Sequence, residues 1–103
     1  MSVIFHVLKE ELERLQETER AYLKAIAEMP RGTPRIQKRR SKSYLYLEYR
    51  NGDRVVHDYI GPEGSDKAKD VLEKVAQRKR YEKLLKETKS ALKDVRKALR
   101  GKI

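Results

Sequence analysis

The side chains of this 103-residue sequence that most often carry acid–base catalysis are two histidines and sixteen carboxylates, and no spacing among them forms a catalytic set. His6 and His57 fall in different segments, with no HExxH pattern and no second histidine at ligand spacing. Gly61-Pro62-Glu63-Gly64 is glycine-rich, but it lacks the Lys-Ser/Thr that a phosphate-cradling loop places after its last glycine. No serine sits in a nucleophile elbow. The absence of cysteine removes thiolate metal sites, disulfides and a Cys nucleophile. The sequence therefore predicts a protein that is not an enzyme and holds no metal, cofactor or small-molecule substrate.

A second kind of chemistry is better represented. Arg35, Gln37, Arg39, Arg40 and Lys42 lead into Tyr44, Tyr46 and Arg50, with His57 beyond, and a further basic run stands at Arg78-Lys79-Arg80. Guanidinium and ammonium groups neutralise phosphates, an amide can read base edges, and tyrosine rings can stack on bases or sugars. These residue types together predict contact with nucleic acid, double-stranded DNA ahead of RNA. His57, taken alone, is more simply a sheet-face contact.

The charge distribution points the same way. Net charge is +10, but residues 1–29 carry four Lys/Arg and six Asp/Glu. Residues 30–61 carry eight against three, and residues 62–103 carry fourteen against seven. A basic field that begins at Pro30 suits a polyanion. The C-terminal series Lys83, Lys86, Lys89, Lys93, Arg96, Lys97, Arg100 and Lys102 is less specific. It reads as a solvated helix face opposite an apolar stripe.

These residues need elements to position them. Residues 2–29 read as a helix with Phe5, Leu12 and Ile26 at one heptad position, and Met1, Leu8, Leu15, Tyr22 and Met29 at the other. Glu19 is the polar break in that seam, and Pro30, Gly32 and Pro34 end the helix. Over residues 35–60 the period drops to two. Asn51-Gly52 predicts a hairpin turn, and a two-residue loop there pairs Arg50 with Asp53, Leu47 with Val56 and Tyr46 with His57. Residues 35–39 add an edge strand turning at Arg40-Ser41-Lys42.

Alternation then puts Leu45, Leu47, Val56 and Ile60 on an inner face, with Asp58 awkwardly among them. Tyr44, Tyr46, Glu48 and Arg50 lie outside, beside Val55, His57 and Tyr59. Ser65 is a candidate N-cap for a helix reaching about Arg100, with Gly101 to stop it. That helix carries two apolar stripes on nearly opposite sides. Ala68, Val71, Leu72, Val75 and Ala76 suit the sheet, with Val71, Leu72 and Val75 expected to cover it. Tyr81, Leu84, Leu85, Thr88, Leu92, Val95 and Leu99 suit the first helix or a second copy of the chain.

The expected fold is α+β: an N-terminal helix over residues 1–30, a three-stranded antiparallel sheet over 33–61, and a long helix over 65–101. Together they form one domain spanning 1–103 that is closed as a helical hairpin or as a coiled-coil homodimer. No signal peptide or membrane span is recognisable, so the expected location is the cytoplasm, on the nucleoid if DNA is bound.

Tyr44 to Ile60, continuing through Gly61 into a helix, resembles the three-stranded sheet plus helix of integrase arm-type DNA-binding domains. It is also similar to small prokaryotic helix–β-hairpin–helix proteins found near mobile elements. The resemblance covers about residues 33–80. It implies that the exposed sheet face enters a major groove through Arg35, Gln37, Arg39, Tyr44, Tyr46 and Arg50. The helix–hairpin–helix layout also resembles prefoldin subunits, and that likeness implies the alternative, a chaperone-like or antitoxin-like protein-interaction module.

Overall fold

A computed structural model describes residues 2–101. Met1 of the expected seam and Lys102 of the C-terminal basic series lie outside the described residues. The element order is α1 (Val3–Ala27), β1 (Thr33–Arg39), β2 (Lys42–Asn51), β3 (Arg54–Pro62) and α2 (Asp66–Arg100), an α+β arrangement. The three strands form an antiparallel sheet with β2 in the centre. The chain divides into two compact units. One is a sheet unit, Met29–Arg78; the other is a helical unit made of the stretch up to Glu28 and the stretch from Lys79 onward.

In the sheet unit, β2 supplies the buried Leu45, 0% exposed, and Leu47. Val71 and Val75 of α2 close over Leu47, with Ile60 packed at the side, and Ala68 is buried on the same helix stripe. Burying a Leu or Val side chain contributes about 1.5–3 kcal/mol, so this small cluster fixes which side of the sheet faces the helix. Ser65 caps α2, its Oγ accepting from Ala68 N at 3.2 Å, and Asp66 adds a carboxylate to the positive end of the helix.

The structure corrects two expectations. Leu72 does not cover the sheet; it is 40% exposed, and Ala76 is also exposed. A narrow three-stranded sheet accepts one helical row, Ala68, Val71 and Val75, and the next residue on that row is Arg78. The hairpin forms around Asn51-Gly52, but its two central residues are Gly52 and Asp53, because Asn51 pairs with Arg54. Gly52 has φ +64 and Asp53 is not left-handed, which matches the glycine-first II′ turn rather than the Asn-Gly I′ turn. Pairing is thereby displaced by two residues: Arg50 meets Val55, Glu48 meets His57, Leu47 meets Asp58 and Tyr46 meets Tyr59. A shift of two leaves every side chain on its expected face. One further irregularity lies beyond, since Leu45 pairs with Gly61 and leaves Ile60 as a bulge.

Gly32 joins the end of α1 to the sheet. Its φ is +109, and a Cβ there would stand 3.0 Å from the Glu48 carbonyl oxygen, so the close approach of this loop to β2 requires glycine.

In the helical unit, α1 starts at Ser2, whose Oγ accepts from Phe5 N at 3.3 Å. Leu15 and Leu92 are buried, and the Tyr22 and Tyr81 rings meet at 5.7 Å, so the helical hairpin closes within one chain. Thr88, the polar residue of the second stripe, is buried and returns its hydroxyl to Leu84 O at 2.9 Å.

Candidate nucleic-acid interface

The side of the sheet away from α2 is built by alternation. β1 contributes Thr33, Arg35, Gln37 and Arg39; β2 contributes Lys42, Tyr44, Tyr46, Glu48 and Arg50; β3 contributes Val55, His57 and Tyr59. The register sets Arg35 opposite Tyr46, Gln37 opposite Tyr44 and Arg39 opposite Lys42. Arg35, Gln37, Arg39, Arg50, Val55, His57 and Tyr59 are exposed, while Tyr44, Tyr46 and Glu48 are half-buried. Arg40 and Ser41 are the two residues between Arg39 and Lys42, and Arg40 is held at φ 58.

Three tyrosines gather at the centre. Tyr59 lies 5.3 Å from Tyr46 and 6.1 Å from Tyr44, ring centre to ring centre, with planes inclined at 60° and 54°. The expected Tyr46–His57 pair is replaced by Tyr46–Tyr59, because the turn displaces the register. Tyr59, at 53% exposure, becomes the most open ring of the cluster. Inclined contacts of this kind between aromatic rings are favourable, and the Tyr46–Tyr59 pair is edge-to-face.

Glu48 is the one acid on this face. Its Oε2 stands 3.6 Å from Arg35 Nε on one neighbouring strand and 3.6 Å from His57 Nδ1 on the other. It links all three strands, and it withholds part of the Arg35 charge from anything that approaches.

On the opposite side, near the hairpin turn, Arg31 stacks over Tyr49 at 4.2 Å and donates to Arg50 O at 2.8 Å. The Tyr49 hydroxyl donates to the Asp58 carboxylate, which raises the phenol's pKa above its ordinary value. That bond answers the awkwardness of Asp58: it is exposed beyond the edge of the apolar cluster and has a partner. Neither Arg31 nor Tyr49 was among the expected site residues. The Arg31 stacking depends on the loop before β1, which no periodicity describes.

Arg78 has a different role from its neighbours in the basic run. Its Nη1 donates to Pro30 O and its Nη2 to Gly32 O at 3.0 Å. The guanidinium is thus committed to the backbone of the loop that precedes β1. Lys79 and Arg80 are exposed and belong to the helical unit. Of the twelve expected contact residues, nine therefore lie on the outer face or its β1–β2 turn: Arg35, Gln37, Arg39, Arg40, Lys42, Tyr44, Tyr46, Arg50 and His57. Among the described residues, no three His, Cys, Asp or Glu side chains come together as a metal-holding group. No described helix is long and apolar enough to cross a membrane.

Residues 8–70 match the family described as Domain of unknown function (DUF6788). The chain belongs to this family. The DUF6788 segment takes in most of α1, the entire sheet and the first turn of α2, so the whole outer face lies within it. Arg78, Lys79, Arg80 and the C-terminal basic series fall beyond it. No curated protein and no solved structure matches the chain significantly.

Proposed function

We propose that this DUF6788 protein is a non-catalytic nucleic-acid-binding protein that engages double-stranded DNA with the outer face of its sheet. The observation that carries the reading is the outer-face tyrosine cluster, the exposed Tyr59 with the half-buried Tyr44 and Tyr46, set among Arg35, Gln37, Arg39, Lys42 and Arg50. Three strands at about 4.8 Å spacing are about 10 Å across, and the major groove is about 12 Å wide. A sheet of this width can lie in the groove with its outer face toward the bases, with Arg39, Arg40 and Lys42 at one end and Arg50 at the other reaching phosphates. Gln37 and the tyrosine hydroxyls then face base edges. The likeness to integrase arm-type domains supports the same docking, and the basic excess after Pro30 supplies the attraction.

A homodimer remains part of this proposal on a narrower basis. The α1 seam closes within one chain, so the dimer would use Val3, Ile4 and Val7, which are 78%, 58% and 56% exposed at the start of α1.

The test is a titration of labelled random-sequence duplex at about 50 and 200 mM salt. Affinity carried by several phosphate contacts falls by orders of magnitude over that range. Replacing Arg35, Arg39 and Arg50 with Ala should remove most of the binding. Duplex affinity that is absent at both salts, or indifferent to those three substitutions, rejects the reading in favour of a protein-interaction module.

A further inference from the structure

We infer that the helical unit carries a second nucleic-acid-binding surface, a phosphate track along the last four turns of α2. Lys86, Lys89, Lys93, Arg96, Lys97 and Arg100 are all exposed. At about 100° per residue they fall within an arc of about 100°, and over fourteen residues they extend about 21 Å along the helix axis. Glu87 and Asp94, the acids of this stretch, lie about 60–80° beyond that arc. Among the described residues none of the six cations forms an ion pair. Their charge is therefore not spent internally, unlike that of Arg14 on α1 or Lys74 on the first half of α2.

The orientation of the stripe is set by the fold rather than by composition. Leu84, Leu85, Thr88, Leu92, Val95 and Leu99 turn inward, half-buried or buried, and this fixes the cationic arc outward. At its far end Lys93, Arg96 and Arg100 surround Leu99 in a cleft of about 430 Å³. Arg96 also borders a cleft of about 290 Å³ with Gln16, Glu19 and Arg20 of α1, where Glu19 is the one acid and Arg20 a further cation.

Chemistry selects the occupant. The cores of protein–protein interfaces are depleted in lysine and built on aromatic or other apolar anchors, and this arc offers neither tyrosine nor an exposed large apolar side chain. A line of lysines and arginines at three- and four-residue spacing asks only for repeated negative charge, which a nucleic-acid backbone provides. The surface is separate from the sheet face and lies outside the DUF6788 segment, so the two stand or fall independently.

The experiment compares three full-length variants with the natural chain, binding a short labelled random-sequence duplex across a salt series. The first is Lys89→Gln/Lys93→Gln/Arg96→Gln in the track. The second is Lys9→Gln/Lys67→Gln/Lys69→Gln, which removes the same net charge elsewhere. The third is Arg35→Ala/Arg39→Ala/Arg50→Ala on the sheet. Each phosphate contact contributes about 0.9 to the slope of log K against log salt, so the track variant should lose about 2.7 and the control less than about 1. Equal losses in the track and control variants overturn the inference, because the arc would then act only through bulk charge. The sheet variant decides the sheet-face reading separately. If it binds like the natural chain while the track variant weakens, the inference stands and that reading falls. Circular dichroism confirms that each variant keeps its helices.

Discussion

Replacing Glu48 with Gln should strengthen duplex binding, which is a demanding expectation because most surface changes do nothing or harm. The carboxylate lies in the middle of the proposed contact face, 3.6 Å from both Arg35 and His57. A phosphate held over the same face would sit about 7 Å from it. Repulsion between unit charges at that separation is about 0.6 kcal/mol in bulk water, and about 1.2 kcal/mol at an effective dielectric constant of ~40. Screening over a Debye length of about 10 Å at 0.1 M salt roughly halves either figure. The gain in affinity is then about two- to threefold at 0.1 M salt, growing as salt is lowered. Freed from Glu48, Arg35 should add to the gain. Stability should change little, since exposed ion pairs of this kind contribute about 0–1 kcal/mol. Fluorescence anisotropy on a labelled duplex reads the affinity, and urea unfolding reads the stability. Glu73→Gln, on the exposed side of α2, controls for the general change in net charge. Unchanged or weaker binding by Glu48→Gln, or an equal gain in Glu73→Gln, would refute the placement of nucleic acid on this face.

The same geometry sets three further expectations. Arg78→Gln should lose about 1.5–3 kcal/mol of stability in urea, because two carbonyls lose a charged donor, while the folded protein binds duplex within about twofold of the natural chain. A binding defect without destabilisation would return Arg78 to the contact surface. Arg40→Gly should move two properties in opposite directions: it relieves a left-handed non-glycine residue, with a gain of up to about 1 kcal/mol in thermal or urea stability, and it removes a cation from the β1–β2 turn and weakens binding. Lower stability together with unchanged affinity would contradict both halves of the argument. Val3→Lys/Val7→Lys should convert a homodimer to monomer in sedimentation velocity; a natural chain already monomeric, or an unaffected dimer, removes the proposed dimer contact.

The elements were legible because each carries its own period and its own punctuation. Pro30, Gly32 and Pro34 break a helical repeat, Asn51-Gly52 separates two alternating runs, and Ser65 caps the long second helix. The outer face was legible for a reason that is easy to miss. The turn used Gly52-Asp53 in place of Asn51-Gly52, and the resulting shift by two residues conserves the alternation. Cross-strand partners have no such protection, so the Tyr46–Tyr59 contact and the position of His57 beside Glu48 emerged only with the register. Leu72 illustrates a limit of wheel diagrams, which show a broad apolar arc but not how narrow the receiving sheet is. Arg78 illustrates another. Within Arg78-Lys79-Arg80 its charge looks like its neighbours', yet it stands three residues after Val75 and seven after Val71, on the very row that faces the sheet. That spacing was the available sign that it turns inward to Pro30 and Gly32.

The six tyrosines give the central claim a built-in set of reporters. Tyr44, Tyr46 and Tyr59 lie on the outer face, Tyr49 on the other side of the same sheet, and Tyr22 and Tyr81 in the helical seam. Aromatic carbon–proton NMR spectra recorded while duplex is added should show the ring signals of Tyr44, Tyr46 and Tyr59 moving together, with those of Tyr49, Tyr22 and Tyr81 nearly still. Saturable binding that leaves the first three rings unmoved would contradict the account.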